Sequence, residues 1–196
     1  CNCMEHRGAT SADNISGDGA GILTSIPWKL FSSIVDPSKH TNKDGSFGAA
    51  VGQIFLPQDP ENVKIAMASV ESSVQAVGLK VVGWRDVPVA PEFLGELSRD
   101  FVPTIKQVVI TAGDGQQFDN QEQMDKTLYD ARRKIQGLFR MNSFNEAYVC
   151  SMSSRTIVYK GMLRSCDLPR FYKDLTNPDY ESVFAVYHRR FSTNTV

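Results

Sequence analysis

The chain has no apolar run near the ~20 residues needed to span a bilayer, so no membrane-spanning helix is expected. Its first residues, Cys1-Asn2-Cys3-Met4-Glu5-His6-Arg7, are polar and include an acid, which is not the pattern of a secretory leader. Four cysteines (Cys1, Cys3, Cys150, Cys166) among 196 residues are too few for a disulfide scaffold, and reduced thiols in an intracellular compartment are the expectation. There is no excess of either charge: 21 Lys and Arg stand against 22 Asp and Glu. That balance argues against a nucleic-acid binder that relies on a broad basic field, though not against a small basic pocket. No internal repeat or low-complexity block is present. The chain does not open with Met, which reads as a processed protein or a piece of a longer one.

What is present is enough for a globular core. Hydrophobic residues make up 41% and charged residues 22%, which excludes wholesale disorder. Ala49 to Leu56 is apolar and bounded by Gly and Pro, and predicts a buried strand. Asp59-Pro60-Glu61 predicts a helix start, with Asp59 as N-cap and Pro60 at the first helical position. Val63, Ala66, Met67, Val70, Val74 and Val77 then recur at three and four, one face of a helix that Gly78 ends. A second amphipathic helix is predicted over Gln121 to Phe139, with Met124, Leu128, Ala131, Ile135, Leu138 and Phe139 in one stripe. Further strands are expected at Ile22–Ile26, Leu79–Trp84, Ile105–Thr111, Ala147–Met152, Thr156–Tyr159 and Ser182–Phe191, and a short helix at Trp28–Val35. The order is mixed without strict alternation, which favours an α+β fold over a doubly wound parallel sheet.

The motifs narrow the chemistry. Ser16-Gly17-Asp18-Gly19-Ala20-Gly21 is glycine-rich, but the dinucleotide pattern fails because the sixth position from Gly19 is Thr24. No G-K-[ST] follows, and Asp18 would repel a phosphate. These glycines read as a tight turn where backbones approach closely. Cys1-x-Cys3-x-x-His6 lacks the second pair that a zinc site needs, so no metal is expected. In the terminal strand, Val183, Ala185, Tyr187 and Arg189 share one face, and Phe184, Val186, His188 and Arg190 the other. If both faces are covered, at least one arginine is desolvated and needs an anion, which a guanidinium can bind bidentately. If the strand is an edge, both arginines can lie in water or in a structural ion pair. Glu5-His6-Arg7-Gly8 by itself is a charged helix end stopped by glycine.

Taken in order, several blocks resemble one family. They are Cys3-Met4-Glu5-His6-Arg7-Gly8-Ala9, Asp13-Asn14, Ser16 to Ile22, Ile26-Pro27-Trp28, Phe55-Leu56-Pro57-Gln58 and Gly83-Trp84-Arg85-Asp86-Val87-Pro88. Val158-Tyr159-Lys160-Gly161-Met162-Leu163 and His188-Arg189-Arg190-Phe191-Ser192-Thr193-Asn194-Thr195 complete the set. Together they are similar to the glutaminase domain of glutamate synthases, a class II glutamine amidotransferase. The resemblance implies a four-layer αββα sandwich of the N-terminal-nucleophile (Ntn) hydrolase type. It implies a cysteine thiolate that attacks the side-chain amide of glutamine, with a free α-amino group as base and an Asn-Gly oxyanion segment. In the family the ammonia passes to a flavin site where 2-oxoglutarate becomes glutamate. FMN and an iron–sulfur cluster are thus implied for the full-length enzyme, and none within these residues.

By the same resemblance, Arg190 would clamp the α-carboxylate of L-glutamine, with Ser192 and Thr193 nearby, and Arg7 would support the nucleophile. Cys1 is disfavoured as that nucleophile. His6 follows it by five positions, where the family places the cysteine roughly thirty residues ahead of its His-Arg-Gly, room for a strand and most of a helix. The expectation is a partial domain over 1–196 with the nucleophile strand and oxyanion segment missing, inactive alone. Its partners would be the synthase domains of the same polypeptide and ferredoxin or NAD(P)H as electron donor, with no nucleic acid and no membrane. The compartment would be the bacterial cytoplasm or plastid stroma. Two alternatives stay open: a non-catalytic domain of the same fold that senses a small carboxylate, and another class II amidotransferase. The Tyr159-Lys160-Gly161 and Trp84-Arg85-Asp86 blocks argue against the latter.

Overall fold

The computed structural model describes residues 19–189. Among the described residues, seven strands and two long helices carry the fold: β1 (Ala20–Ser25), β2 (Ala49–Leu56), α1 (Pro60–Gln75), β3 (Leu79–Asp86), then a short α2 (Glu96–Arg99). They continue with β4 (Thr104–Ala112), α3 (Gln121–Met141), β5 (Tyr148–Ser153), β6 (Thr156–Gly161), a short α4 (Leu168–Phe171) and β7 (Ala185–His188). The strands form two antiparallel sheets, one ordered β3-β4-β2-β5 and the other β6-β1-β7.

Two apolar cores explain the layering. One lies between the four-stranded sheet and the pair α1 and α3, and contains Ile54, Val70, Leu128 and Ile135. The other lies between the two sheets and contains Val51, Phe55, Val109, Ile157 and Tyr159. All eight residues of β2 are buried, because it is a central strand with a core on each face. That is why its sequence lacks the alternation of a half-buried strand. Each fully buried Leu, Ile or Val contributes about 1.5–3 kcal/mol relative to exposure. The structure is α+β as expected. Three of the four expected layers, a helix pair and two sheets, are formed by the described residues.

The helix ends follow their sequence signals. The Asp59 carboxylate accepts from the Asn62 N–H at 2.9 Å, and Pro60 occupies the first turn, where no donor is needed. The buried face of α1 is Val63, Ala66, Val70 and Val74, with Met67 only partly covered. Ser69 and Ser73 join that face, their hydroxyls turned back onto the carbonyls of Ile65 and Ser69. In α3, Asn120 is the N-cap and accepts from the Gln123 N–H, and the predicted stripe is buried apart from Leu138, which is partly exposed.

Two expectations are corrected, and one turn is placed. Trp28–Val35 is not an α-helix; only Trp28–Phe31 coils, as a 3-10 turn. The terminal strand is four residues long, Ala185–His188, not Ser182–Phe191. Phe191 lies outside the described residues. The strands on either side of Ser153-Ser154-Arg155 belong to different sheets, β5 pairing with β2 and β6 with β1. This turn is therefore the corner where the chain crosses between sheets. Asp125 of α3 holds it, accepting from the Ser154 N–H at 2.7 Å and from Arg155 Nε at 3.0 Å.

Gly78 ends α1 at φ 80°, a left-handed value that suits glycine. Its carbonyl accepts from the Gly113 N–H at 3.0 Å, and a Cβ on Gly113 would stand 2.5 Å from that carbonyl oxygen. Backbone on both sides leaves little room to yield. Gly113→Ala is therefore expected to destabilise by about 1–3 kcal/mol, seen as a lower urea midpoint at unchanged slope.

Candidate functional site

Alternation along the strands places four polar side chains in a row on the inner face of the larger sheet. The register sets Arg85 of β3 beside Gln107 of β4, Gln107 beside Gln53 of β2, and Gln53 beside Ser151 of β5. Gln53 and Gln107 are fully buried. Buried polar groups need partners. Here most come from across the interface. Asp174, on the 3-10 turn Lys173–Thr176, receives Arg85 in a two-pronged pair, Nη1 to Oδ2 at 2.7 Å and Nη2 to Oδ1 at 2.6 Å. Tyr159 of β6 donates its hydroxyl to Asp174 Oδ2 at 2.9 Å and accepts from Gln107 Nε2 at 2.8 Å. Gln107 Oε1 accepts from Arg85 Nη1 at 2.9 Å, which closes the circuit. Gln107 Nε2 also reaches Gln53 Oε1 at 2.9 Å.

The electrostatics fit this wiring. Asp174 raises the pKa of the Arg85 guanidinium, first through their hydrogen bonds. Burial, aided by the Asp174 charge, pushes the Tyr159 phenol well above its ordinary range, so it stays a donor at neutral pH. The guanidinium also lies 5.8 Å from the Phe31 ring centre.

This circuit anchors the segment that leads to β7. The Lys173 N–H donates to the Pro88 carbonyl and the Ala90 N–H to the Phe171 carbonyl, which ties the segment beside the end of β3. Tyr180 then meets Thr24 of β1, hydroxyl to hydroxyl, at 2.6 Å, and Ser182 Oγ meets Ser25 Oγ at 2.8 Å. From there β7 pairs with β1, Ala185 opposite Thr24 and His188 opposite Gly21. Lys160 of β6 faces Gly21 from the other side. A Cβ on Gly21 would stand 2.5 Å from His188 Cε1, so glycine lets the imidazole lie across the strand. Burial, with the nearby Lys160 charge, lowers the His188 pKa.

Every residue singled out from the sequence for chemistry (Cys1, Arg7, Arg190, Ser192, Thr193) lies outside the described residues, as do Cys3, His6, Ser16, Gly17 and Asp18. His188 and Arg189 are described, and among the described residues β7 is an edge strand with all four residues exposed. Sequence reasoning missed Asp174, Gln53 and Gln107. The glutamines carried a signal, since a lone amide inside an otherwise apolar strand must find a partner. Asp174 carried none. Among the described residues no group of three His, Cys, Asp or Glu side chains gathers. A cleft of about 620 Å³ opens by Phe55, Ile105 and Phe171, with Lys160, Ser98 and Glu146 among its few polar groups. So apolar a lining suits the charged ends of a free amino acid poorly.

The comparisons give these features a family. The chain belongs to the class-II glutamine amidotransferases, whose profile matches residues 1–196. The fold is accordingly that of an Ntn hydrolase. Among individual relatives, the chain is 47% identical over 194 residues to ferredoxin-dependent glutamate synthase 2 of Synechocystis sp., covering 99% of this chain and 12% of that protein. It is 43% identical over 194 residues to the chloroplastic ferredoxin-dependent glutamate synthase of Oryza sativa subsp. japonica, covering 98% and 12%. It is 39% identical over 191 residues to the glutamate synthase [NADPH] large chain of Azospirillum brasilense, covering 97% and 12%. The chain thus spans about 12% of the length of these curated relatives.

Three outcomes test this framework and its surroundings. Asp174→Asn removes one charge of a buried pair and leaves the other desolvated, so a loss of about 3–5 kcal/mol is expected from chemical denaturation. Lys64→Ala, which breaks the exposed pair with Glu61, is expected to cost no more than about 1 kcal/mol. Burial pushes the Cys150 thiol up to about 11. A brief alkylation at pH 8, mapped by mass spectrometry, is expected to label the exposed Cys166 and spare Cys150.

Proposed function

We propose that this chain is the glutamine-holding part of a glutamate synthase amidotransferase domain. The observation that carries the reading is family membership across the whole chain, together with relatives named as glutamate synthases over 97–99% of it. In the proposed reaction a cysteine thiolate attacks the side-chain amide carbon of glutamine. The C–N bond breaks, the nitrogen takes a proton and leaves as ammonia, and a glutamyl thioester remains. Water then cleaves the thioester, giving glutamate and the free thiol. The ammonia is used by the synthase domains of the same polypeptide to convert 2-oxoglutarate to glutamate.

Arg190 is the proposed clamp for the glutamine α-carboxylate, because a planar guanidinium matches a carboxylate with two parallel hydrogen bonds. Ser192 and Thr193 are the proposed neighbouring contacts, and Arg7 the residue that supports the nucleophile. Cys1 is not proposed as that nucleophile, on the spacing to His6-Arg7-Gly8. FMN and the iron–sulfur cluster are assigned to the synthase region of the full-length enzyme, and no step here passes through them. Ferredoxin is the proposed electron donor, as in the names of the cyanobacterial and rice relatives, with NADPH the donor named for the Azospirillum one. The proposed compartment is the bacterial cytoplasm or plastid stroma. No helix among the described residues is long and apolar enough to cross a membrane.

Arg190→Lys in the full-length enzyme is expected to raise KM for glutamine by about tenfold or more, since an ammonium cannot form the two-pronged contact. Unchanged glutamine kinetics would reject the clamp. Cys1→Ala is expected to leave glutamine hydrolysis intact, and loss of turnover would make Cys1 the nucleophile.

A further inference from the structure

The strand β7 has little of what normally fixes register. It is four residues long and, among the described residues, lies at a sheet edge and pairs only with β1. Its inner and outer faces are similar in character. Tyr187 lies on one face and Val186 on the other, both exposed, and Val183 and Phe184 just before the strand are exposed as well. A strand whose two faces are alike gains almost nothing from burial in one register over the next, so slippage is weakly opposed. Yet a slip of one residue exchanges every side chain between faces. Arg189 and Arg190 follow directly in the sequence, so the register of β7 sets where the segment with the proposed clamp begins.

The opposing constraint sits at the start of the strand. The Ser25 N–H donates to Ser182 Oγ at 3.0 Å, and the Val183 N–H donates to Ser25 Oγ at 3.2 Å. Ser182 Oγ donates to the Phe184 carbonyl at 2.6 Å, which commits its single proton. In the 2.8 Å contact between the two serines, Ser25 is therefore the donor. One turn earlier in the path, Tyr180 meets Thr24, with Tyr180 pushed up to about 12 mainly by burial and so uncharged at neutral pH. Lys29 and Glu181 add an exposed ion pair. The two hydroxyl contacts join the successive residues Thr24 and Ser25 of β1 to Tyr180 and Ser182, two apart on the incoming segment, and a one-residue shift of that segment would break both together. At the far end, Gly21 accepts His188 across it, where a Cβ would not fit the present ring position.

We propose that the hydroxyl clasp of Thr24 and Ser25 with Tyr180 and Ser182 is the register pin of β7, and that these four are positioning residues for glutamine binding. The positioning role rests on the assignment of Arg190 as the carboxylate clamp; the pin itself does not. None of the four touches the substrate in this account. They act by fixing the strand from which the arginine-containing segment continues.

The test uses the full-length enzyme with Tyr180→Phe and Ser182→Ala combined, and Ser182→Ala alone in case the double variant fails to fold. The pin predicts faster amide hydrogen exchange in the peptide covering Ala185–His188. It also predicts a rise in glutamine KM of about tenfold, with kcat changed by less than about threefold. Ser182→Thr, which keeps the hydroxyl, is expected to retain both the protection and the wild-type KM. A merely structural role would lower overall stability without this split and without this rescue. Unchanged exchange in the Ala185–His188 peptide overturns the pin, whatever Arg190 does. Faster exchange at unchanged KM, where Arg190→Lys does raise KM, overturns the positioning role. An unchanged KM in Arg190→Lys rejects the carboxylate clamp, and the positioning role falls with it.

Discussion

The pairing of Arg85 with Asp174 is the constraint on which the arrangement of this molecule depends. Two sheets packed face to face bury an inner surface that would ordinarily be apolar throughout. Here a polar row crosses it, and a charged group inside such an interface is tolerated only when its partners are in place. Arg85, Asp174, Tyr159 and Gln107 satisfy one another in a closed ring. Apolar contacts accept many small displacements. This ring accepts few, because each hydrogen bond has a direction and the two-pronged pair fixes a plane. The ring therefore sets how the smaller sheet lies on the larger one.

From that anchor the path to the proposed substrate-binding segment can be followed bond by bond. Asp174 holds the turn Lys173–Thr176, and backbone hydrogen bonds to Pro88 and from Ala90 hold its approach. Tyr180 and Ser182 then tie the chain to β1 before the first residue of β7 pairs. An edge strand with two similar faces is positioned by what precedes it more than by its own side chains. The corner at Ser153–Arg155 has the same logic. Asp125, on a helix of another layer, decides where the chain leaves one sheet for the other.

This changes the meaning of the motifs that carry the family likeness. Trp84-Arg85-Asp86 and Tyr159-Lys160-Gly161 are far apart in sequence, yet Arg85 and Tyr159 meet on the same carboxylate. Their work is to join two sheets. Trp84, on the opposite face of β3, donates its indole N–H to Glu71 of α1 at 2.8 Å and ties sheet to helix. These two blocks of the family likeness are therefore structural ones. The chemistry belongs to Arg7 and the Arg190 to Thr193 segment in the reading proposed here.

Much of the secondary structure is legible in the residues themselves. Asp59-Pro60 starts α1 and Gly78 ends it because capping and left-handed backbone are local properties of those residue types. The stripe from Met124 to Phe139 specifies a buried helix face because periodicity is local too. The α+β class follows from the mixed order of such elements. What no local pattern contains is partnership. Nothing in Lys173-Asp174-Leu175 says that its carboxylate meets an arginine 89 positions earlier. Nothing in Ser153-Ser154-Arg155 separates a hairpin from a crossing between sheets, since the turn chemistry is the same and only the available strand edges differ. The sequence by itself determined the elements, their caps and their buried faces, which depend on neighbours a few residues away. Only the tertiary structure decided which edges pair, which charges meet and which register β7 takes, because those energies exist only once distant segments exclude water from one another.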